Sequence, residues 1–381
     1  MSERFSEFSP VSKAEWLDKV IRDLRGKPLT ALDWQLSENW SVSPFAHADD
    51  LTEVYQPLDD QRSQNAWEVG VRLSVDNPKS ANQQALELLE RGANALIFQI
   101  QNAFSTEAFN ALFQGIELAW ISTHFELDDA AVASFWENFP AFLAVRKIDG
   151  TALRGSVILK KTNEVAPARW QQFAESLPQW QLLAVDGRCL LGNAADTATE
   201  LATALRTANT YLQLLYDQKW SATDWLPRVK FILAAGDSYL LQIAKVRALR
   251  LLWQQLQLAW SIAPPQPAAI EAHLTERTHA EDANYNKIGA TARAMAMVIG
   301  GVHRLVVYPS DRIGDQPGTP FGQRIALNVQ HLMQMESYLD RTVDPAAGSY
   351  FLEKLTDDLA ARAWTLFTEE MVGDAVSEKG V

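Results

Sequence analysis

The amino-acid sequence predicts an α/β protein: a closed (β/α)8 barrel of the TIM type, with a helical arm ahead of it and a helical extension behind it. Three observations predict this. Between Trp67 and about Asp340, strand-like apolar runs alternate with amphipathic helical stretches eight times, with no ninth. The runs are continuously apolar, as in Ala95-Leu-Ile-Phe98, which suits a parallel sheet covered on both faces. The stretches between them supply the crossovers that parallel strands need. Eight units favour closure over an open doubly wound sheet. The chain divides on this reading into an N-terminal arm (1–65), the barrel (66–340) and a C-terminal extension (341–381).

Each element follows from local chemistry. Ser12-Lys-Ala-Glu15 is a capping box, with Val11 and Trp16 spaced for a hydrophobic staple. The helix it starts carries the stripe Trp16, Val20, Ile21, Leu24 and stops at Gly26 and Pro28. A polar, irregular stretch around Pro44, Asp49, Asp50, Asp59 and Asp60 follows. It has no core of its own and must lie on the barrel or on a partner. Strands are then expected at Trp67–Leu73, Ala95–Ile100, Ile116–Ser122, Phe142–Ile148, Gln181–Val185, Val229–Ala235, Ile270–Thr275 and His303–Tyr308. Helices are expected at Pro78–Arg91, Thr106–Phe113, Asp129–Asn138, Pro167–Ser176, Ala195–Tyr216, Ser238–Leu256, Asn284–Ile299 and Phe321–Ser337. The stripe Leu201, Leu205, Ala208, Leu212, Leu215 shows the helical period most clearly. Pro264-Pro-Gln-Pro267 is a rigid connector, and a last helix covers Ala360–Glu369.

Composition excludes several classes of function. Of 381 residues, 47% are apolar and 21% charged, which permits a large core. A net charge of −13 lacks the basic footprint that nucleic acid requires. The single cysteine, Cys189, allows no internal disulfide and fits a reducing, cytoplasmic setting. Met1-Ser-Glu-Arg4 lacks a signal-peptide apolar run, and no stretch is apolar enough to span a membrane. The thirteen tryptophans read as packing residues, some of them at an interface.

Active sites of such barrels lie at the carboxyl ends of the strands. The loops there offer Asp76 and Asn77; Gln99, Gln101 and Asn102; Thr123 and His124; Arg146, Lys147 and Asp149; Asp186, Arg188 and Cys189; Asp237, Ser238 and Tyr239; Glu276, Arg277 and His279; and Tyr308, Ser310 and Asp311. His124 and His279 stand where a general acid could act, although an ordinary loop histidine is the plainer reading of each. Cys189 could be a nucleophile if its thiol pKa were depressed, or a small buried hydrophobe. The histidines show no metal-ligand spacing, and no glycine-rich phosphate loop appears; Gly300-Gly301 is a tight turn.

Several stretches carry a family resemblance. They are Gln242-Ile-Ala-Lys-Val-Arg-Ala-Leu-Arg250-Leu-Leu-Trp253, Ala294-Met-Ala-Met-Val-Ile-Gly-Gly301, Phe321-Gly-Gln-Arg-Ile-Ala-Leu-Asn-Val-Gln330 and Asp344-Pro-Ala-Ala-Gly-Ser-Tyr-Phe-Leu-Glu353. Together they resemble methylmalonyl-CoA mutase, an adenosylcobalamin-dependent isomerase, over nearly the whole chain. The early Trp16…Asp23-Leu24…Gly26 segment resembles the small, non-catalytic subunit of the heterodimeric bacterial enzyme. The resemblance implies a barrel around which the CoA arm of the substrate threads, followed by a cobalamin-binding domain. That domain is expected to be absent, because the Asp-x-His-x-x-Gly signature supplying the lower cobalt ligand does not occur.

The family's catalytic stretches depart from their pattern. Where catalytic barrels carry Ser-Gly-Tyr-His-Met-Gln-Glu-Ala-Gly, this chain has Asp186-Gly-Arg-Cys-Leu-Leu-Gly-Asn-Ala194, so the catalytic histidine falls on Cys189, a weak donor. The Arg-Gln-Tyr-Ala-Gly-Phe-Ser-Thr segment has no counterpart between Tyr55 and Trp67. Glu-Gln-Asp-Pro-Tyr-Asn-Asn-x-x-Arg survives only as Ala280-Glu-Asp-Ala-Asn-Tyr-Asn-Lys-Ile-Gly289, with glycine for its arginine. The resemblance thus implies a barrel without catalysis, binding no cobalamin itself and paired with a larger catalytic subunit that uses adenosylcobalamin. The alternatives are a stand-alone acyl-CoA enzyme without cobalamin, using His124, Cys189 or His279, and a CoA-binding module with Arg154, Lys160 and Lys161 near phosphates.

Overall fold

The computed structural model describes residues 11–37, 39–51, 62–159, 166–190, 196–267, 269–312 and 318–378. Helix α1 (Lys13–Asp23) begins at the expected capping box, with the Ser12 and Glu15 side chains each bonded to the other's backbone N–H. The expected staple is not its main contact. Val11 is exposed, and Trp16 packs edge-on against Phe45 at 4.7 Å. The arm continues as a hairpin of β1 (Trp34–Ser37) and β2 (Trp40–Val42).

The barrel strands are β3 (Glu68–Ser74), β4 (Ala95–Ile100), β5 (Ser122–Leu127), β6 (Arg154–Leu159), β7 (Trp180–Gln181), β8 (Leu183–Asp186), β9 (Val229–Ala234), β10 (Ala269–Leu274) and β11 (Arg304–Val307). All pair in parallel in the order β7-β6-β5-β4-β3-β11-β10-β9-β8. Strands β7 and β8 are one strand interrupted at Leu182. Its first half pairs with β6 and its second with β9, so the sheet closes into an eight-stranded barrel.

The crossovers are α2 (Pro78–Glu90), α3 (Thr106–Leu112), α4 (Asp129–Arg146), α5 (Pro167–Ser176), α6 (Thr197–Gln218) with the single turn α7 (Ala222–Trp225), α8 (Tyr239–Ala259), α9 (Ala283–Gly300) and α10 (Pro320–Met335). Each follows its strand, as the eightfold pattern requires.

Two expected strands are corrected. Ile116–Ser122 is mostly a short 3-10 turn, and the third strand is the next segment, β5. Phe142–Ile148 is not a strand. Its first residues complete α4, which ends where Lys147 turns left-handed at φ 56°. The apolar run there has helical spacing: Phe135, Phe139 and Phe142 meet Phe125 of β5 and Phe109 of α3 at 4.9–6.0 Å. A short apolar run does not distinguish strand from buried helix, and packing decides it. The fourth strand is instead β6, within what reads as a long connection.

The extension is longer than expected: α11 (Tyr350–Glu378) lies across α8 and α6. Arg247 of α8 anchors it. Fully buried, this guanidinium pairs with Asp344 and, at 2.6 Å, with Glu353. Arg250, one turn on, donates to the carbonyls of Gly300 and Gly301 at the end of α9. Three of the family-like stretches therefore meet here as packing devices. Arg247→Ala leaves two carboxylates buried without their cation and should cost about 3–5 kcal/mol, read as a fall in the denaturant midpoint of the purified chain.

Candidate functional site

Side chains of a strand alternate, so every second residue of the barrel strands faces the axis. In this chain many of those residues are charged, with Ile97, Ile158, Ile232 and Val306 packed among them. Glu68, at the foot of β3, accepts from Ser122 at 2.8 Å and Arg154 at 2.9 Å, and pairs with Arg304. One level up, Glu271 gathers Lys230 at 2.8 Å, Arg304 at 2.7 Å and His273 at 2.6 Å. Lys230 also donates to Ser156 at 2.9 Å. Above them Glu126 holds Arg72 at 2.6 Å and Arg188, which reaches back to Asp186 at 2.6 Å. The axis is thus filled by a column of interlocked ion pairs.

Burial sets the electrostatics of the column. Burial alone would raise the Glu126 carboxyl, but the Arg188 and Arg72 guanidiniums outweigh it and hold the pKa at about 2. Glu271 is likewise held well below the usual carboxylate range: Lys230, the His273 hydrogen bond and Arg304 overcome its burial.

His124 is not in a loop. It sits in the middle of β5, fully buried, with Nδ1 2.8 Å from Ser156 Oγ and Nε2 3.0 Å from Ser122 Oγ. Burial, then Arg304 and Lys230, push its pKa well below the ordinary histidine value, so it stays neutral and sealed. The expected general acid is a structural residue. The same shift of register moves Arg146, Lys147 and Asp149 to the connection before β6, at the wrong end of the barrel. Arg154 also lies at that end, bonded to Glu68, while Tyr55, Asp59, Asp60, Lys160, Lys161 and residues 191–195 fall outside the described residues.

Other expected positions do gather at the strand ends. Cys189 lies exposed in the turn after β8, and its carbonyl accepts from Arg277 at 3.2 Å, bridging to the loop after β10. Half-buried His279 lies in that loop, with Nδ1 3.0 Å from the Arg312 carbonyl. Asp76, Gln99, Gln101, Glu276 and Tyr308 line a cavity of about 720 Å3 together with Arg72 and Arg312. It opens where β11 and β3 part: their pairing stops at Val306–Gly70, whereas β3 stays paired with β4 through Ser74–Gln99. Gly70 lets β11 approach there, since a Cβ would sit 2.8 Å from the Val306 side chain. Asn77 caps α2, Asp237 pairs with Arg293, and Asp311 braces Thr319 at the start of α10, so these three serve the scaffold.

Of the column, only Asp186, Arg188 and Arg154 were expected as candidate residues, and their ion pairing was not. A signal existed: Arg72, Lys230, Glu271 and Arg304 are charged residues in otherwise apolar strands, on the alternation that points inward.

The residues that follow β4 match a known family. The model described as methylmalonyl-CoA mutase fits residues 102–377. The chain belongs to the methylmalonyl-CoA mutase family. It is 31% identical over 391 aligned residues to the methylmalonyl-CoA mutase small subunit of Porphyromonas gingivalis, covering 95% of this chain and 63% of that protein. It is 27% identical to the small subunit of Streptomyces virginiae, covering 80% of this chain and 51% of that one. The Porphyromonas gingivalis large subunit is 31% identical, covering 71% of this chain and 41% of that one. The chain therefore spans less than two thirds of each of these mutase subunits.

Family membership raises the question of cobalt. Among the described residues no three His, Cys, Asp or Glu side chains cluster as a metal site. His124 and His273 have both ring nitrogens engaged inside the barrel, His303 bonds the Ile270 N–H, His331 the Arg91 carbonyl and His47 the Asp49 N–H. No helix among the described residues is long and apolar enough to cross a membrane.

The depressed Glu126 carboxyl makes the barrel acid-sensitive. Its folded pKa of about 2 lies below the ordinary 4.5, so its contribution is complete above pH 4.5 and is lost as pH falls toward 2. Glu126→Gln should flatten the unfolding free energy over that range and cost about 3–5 kcal/mol at neutral pH. Denaturant titrations at several pH values measure both.

Proposed function

We propose that this chain is a non-catalytic small subunit of an adenosylcobalamin-dependent methylmalonyl-CoA mutase, which stabilises a larger catalytic subunit. The complex interconverts methylmalonyl-CoA and succinyl-CoA. On this reading the cobalamin and the substrate belong to the partner, the N-terminal arm contributes to the contact, and the complex is cytoplasmic.

One observation carries the reading: the filled barrel axis. A CoA arm threading this barrel would have to displace the column from Glu68 to Glu126. Breaking a buried pair costs about 3–5 kcal/mol, so opening three exceeds the roughly 8 kcal/mol of a micromolar ligand. Exposed Cys189 at the position of the family's catalytic histidine points the same way. A thiol in a solvated turn cannot hold a thioester carbonyl as an imidazole does.

A second reading, a stand-alone acyl-CoA enzyme or binding barrel without cobalamin, has one observation in its favour. The 720 Å3 cavity at the strand ends holds Arg72 and Arg312 beside amide side chains. Calorimetry with CoA at millimolar concentration, and turnover that responds to Cys189→Ser or to substitution of His279, would favour it.

The leading reading makes two measurable claims. The purified chain with adenosylcobalamin and methylmalonyl-CoA should show no isomerisation, and Cys189→His should not create any, because the axis stays closed. Purified from its native cell, the chain should come with a larger mutase subunit whose thermal stability falls when the two are separated. Recovery of the chain alone in active form would overturn the proposal.

A further inference from the structure

The seam between β3 and β11 is left open by its own sequence. Backbone groups of a strand turn to alternate neighbours at successive residues. Along β3 and just past it, Val69 accepts from the Asn94 N–H and Val75 donates to the Gln99 carbonyl, both on the β4 side. Glu68 instead donates to the His303 carbonyl, on the β11 side. Arg72 and Ser74 share the alternation of Glu68, so their N–H and C=O groups turn toward β11. The ladder with β11 ends at Gly70–Val306. In that register the Arg72 carbonyl would meet the N–H of residue 309, and Pro309 has none. The edge of β3 at Arg72 and Ser74 therefore has no partner strand on that side, and both residues line the strand-end cavity of about 720 Å3.

The cavity has two chemically distinct parts. Val71, Leu73 and Val307 turn away from the axis, and with Leu88 of α2 and Leu327 of α10 they line an apolar chamber. The mouth is polar and carries Asp76, Gln99, Gln101 and Glu276. Glu276 Oε2 is enclosed and accepts no hydrogen bond among the described residues, with Arg312 Nε 3.8 Å away. An enclosed carboxylate oxygen without a donor is costly, and a ligand N–H or ammonium supplies one. The two guanidiniums at the cavity are already engaged. Arg72 grips Glu126 through two hydrogen bonds, at 2.6 and 2.8 Å, and Arg312 lies over the Tyr308 ring at 4.9 Å.

These features together select a class of ligand. A strand edge offers N–H and C=O groups along one line, and an extended peptide matches both, as in β-augmentation. Alternate side chains of such a peptide point to opposite faces, so one of them enters the apolar chamber. The open edge from Arg72 to Ser74 is about 7 Å long at roughly 3.3 Å per residue, which suits a ligand of about three residues. The cavity lies within the about 300–1,000 Å3 typical of small-ligand sites. A polyanion such as a phosphate ester would instead meet Asp76 and Glu276 with both guanidiniums engaged elsewhere.

We propose that the seam between β3 and β11 binds a short peptide with a free amino group and one apolar side chain. Its backbone pairs with the edge at Arg72 and Ser74, its side chain fills the chamber at Leu88 and Leu327, and its ammonium meets Asp76 and Glu276. The site stands apart from the closed axis and does not depend on the subunit reading.

The test titrates the full chain with tripeptide amides of the form Ala-X-Ala, where X is Leu, Val or Phe, by calorimetry and by backbone amide exchange. At least one should bind with a Kd of about 1 mM or tighter. Binding should slow hydrogen exchange at the Arg72 and Ser74 N–H groups and leave Val71 and Leu73, which face β4, unchanged. Acetylation of the peptide amine, Asp in place of X, Glu276→Gln and Ser74→Pro should each weaken binding roughly tenfold. Ser74→Pro removes an N–H that faces the open seam rather than β4, so the variant should melt with the parent chain. If it melts early, Glu276→Gln and the exchange pattern carry the test without it. No binding by any of these peptides at about 10 mM overturns the proposal. So does binding that leaves the Arg72 and Ser74 amides unprotected. Tighter binding of CoA in competition with the peptide overturns the ligand class.

Discussion

The barrel depends on a constraint inside it. Glu68, Glu271, Lys230 and Arg304 lie on different strands, and each is buried or nearly so. A buried charge is tolerable only beside its counterion. The strand register supplies that neighbour: Arg304 lies opposite Glu68 of β3 on one side and opposite Glu271 of β10 on the other. A slip of one residue would turn these charges outward, into the apolar layer under the helices. Hydrophobic burial supplies the driving force for closure, but it is tolerant of register. The ion column is not, and it fixes which residues of β10, β11 and β3 face one another.

The outer layer relies on different chemistry. Between β5 and the helices α3, α4 and α5, aromatic rings interlock: Phe125, Phe135, Phe139 and Trp180 stand within 4.9–6.0 Å of one another in succession. On the opposite side α8 is held by charge. Arg247 ties α11 and the Asp344 turn, Arg250 ties the end of α9, and Lys245 pairs with Glu200 of α6. The family-like stretch of α8 is thus a set of inward-reaching cations that join three neighbouring elements. A chain can retain such a stretch whether or not it performs catalysis, because the barrel loses its C-terminal helix without it.

This separation explains what could be read from the sequence. Elements set by local rules were legible: the capping box at Ser12, strand β4 with its bounds, and the long helices with a single apolar stripe. The fourth strand was not, because Phe142-Leu-Ala-Val145 is apolar in either conformation, and its place was decided by rings that meet only in three dimensions. That error carried into the site. Placing strand three too early put His124 in a loop, where it resembled an acid, when it is a core histidine between two hydroxyls. The positions at the strand ends were found from loop location alone, as with Gln99, Glu276 and Tyr308. The charges of the axis were visible as exceptions to apolar strands, but their pairing depends on closure, which no local pattern encodes.

A filled axis also limits how this barrel can act on anything else. A site that opens and closes requires a ligand that repays the cost of opening, and here that cost is several buried ion pairs. The interior below the strand-end cavity is therefore a fixed scaffold. Rigidity then becomes useful. Helix α9 is already tied to α8 by Arg250, so any contact made on it would pay little ordering entropy. The ion pairs of the axis fix the strands, and a separate set at Arg247, Arg250 and Lys245 fixes the outer helices on them.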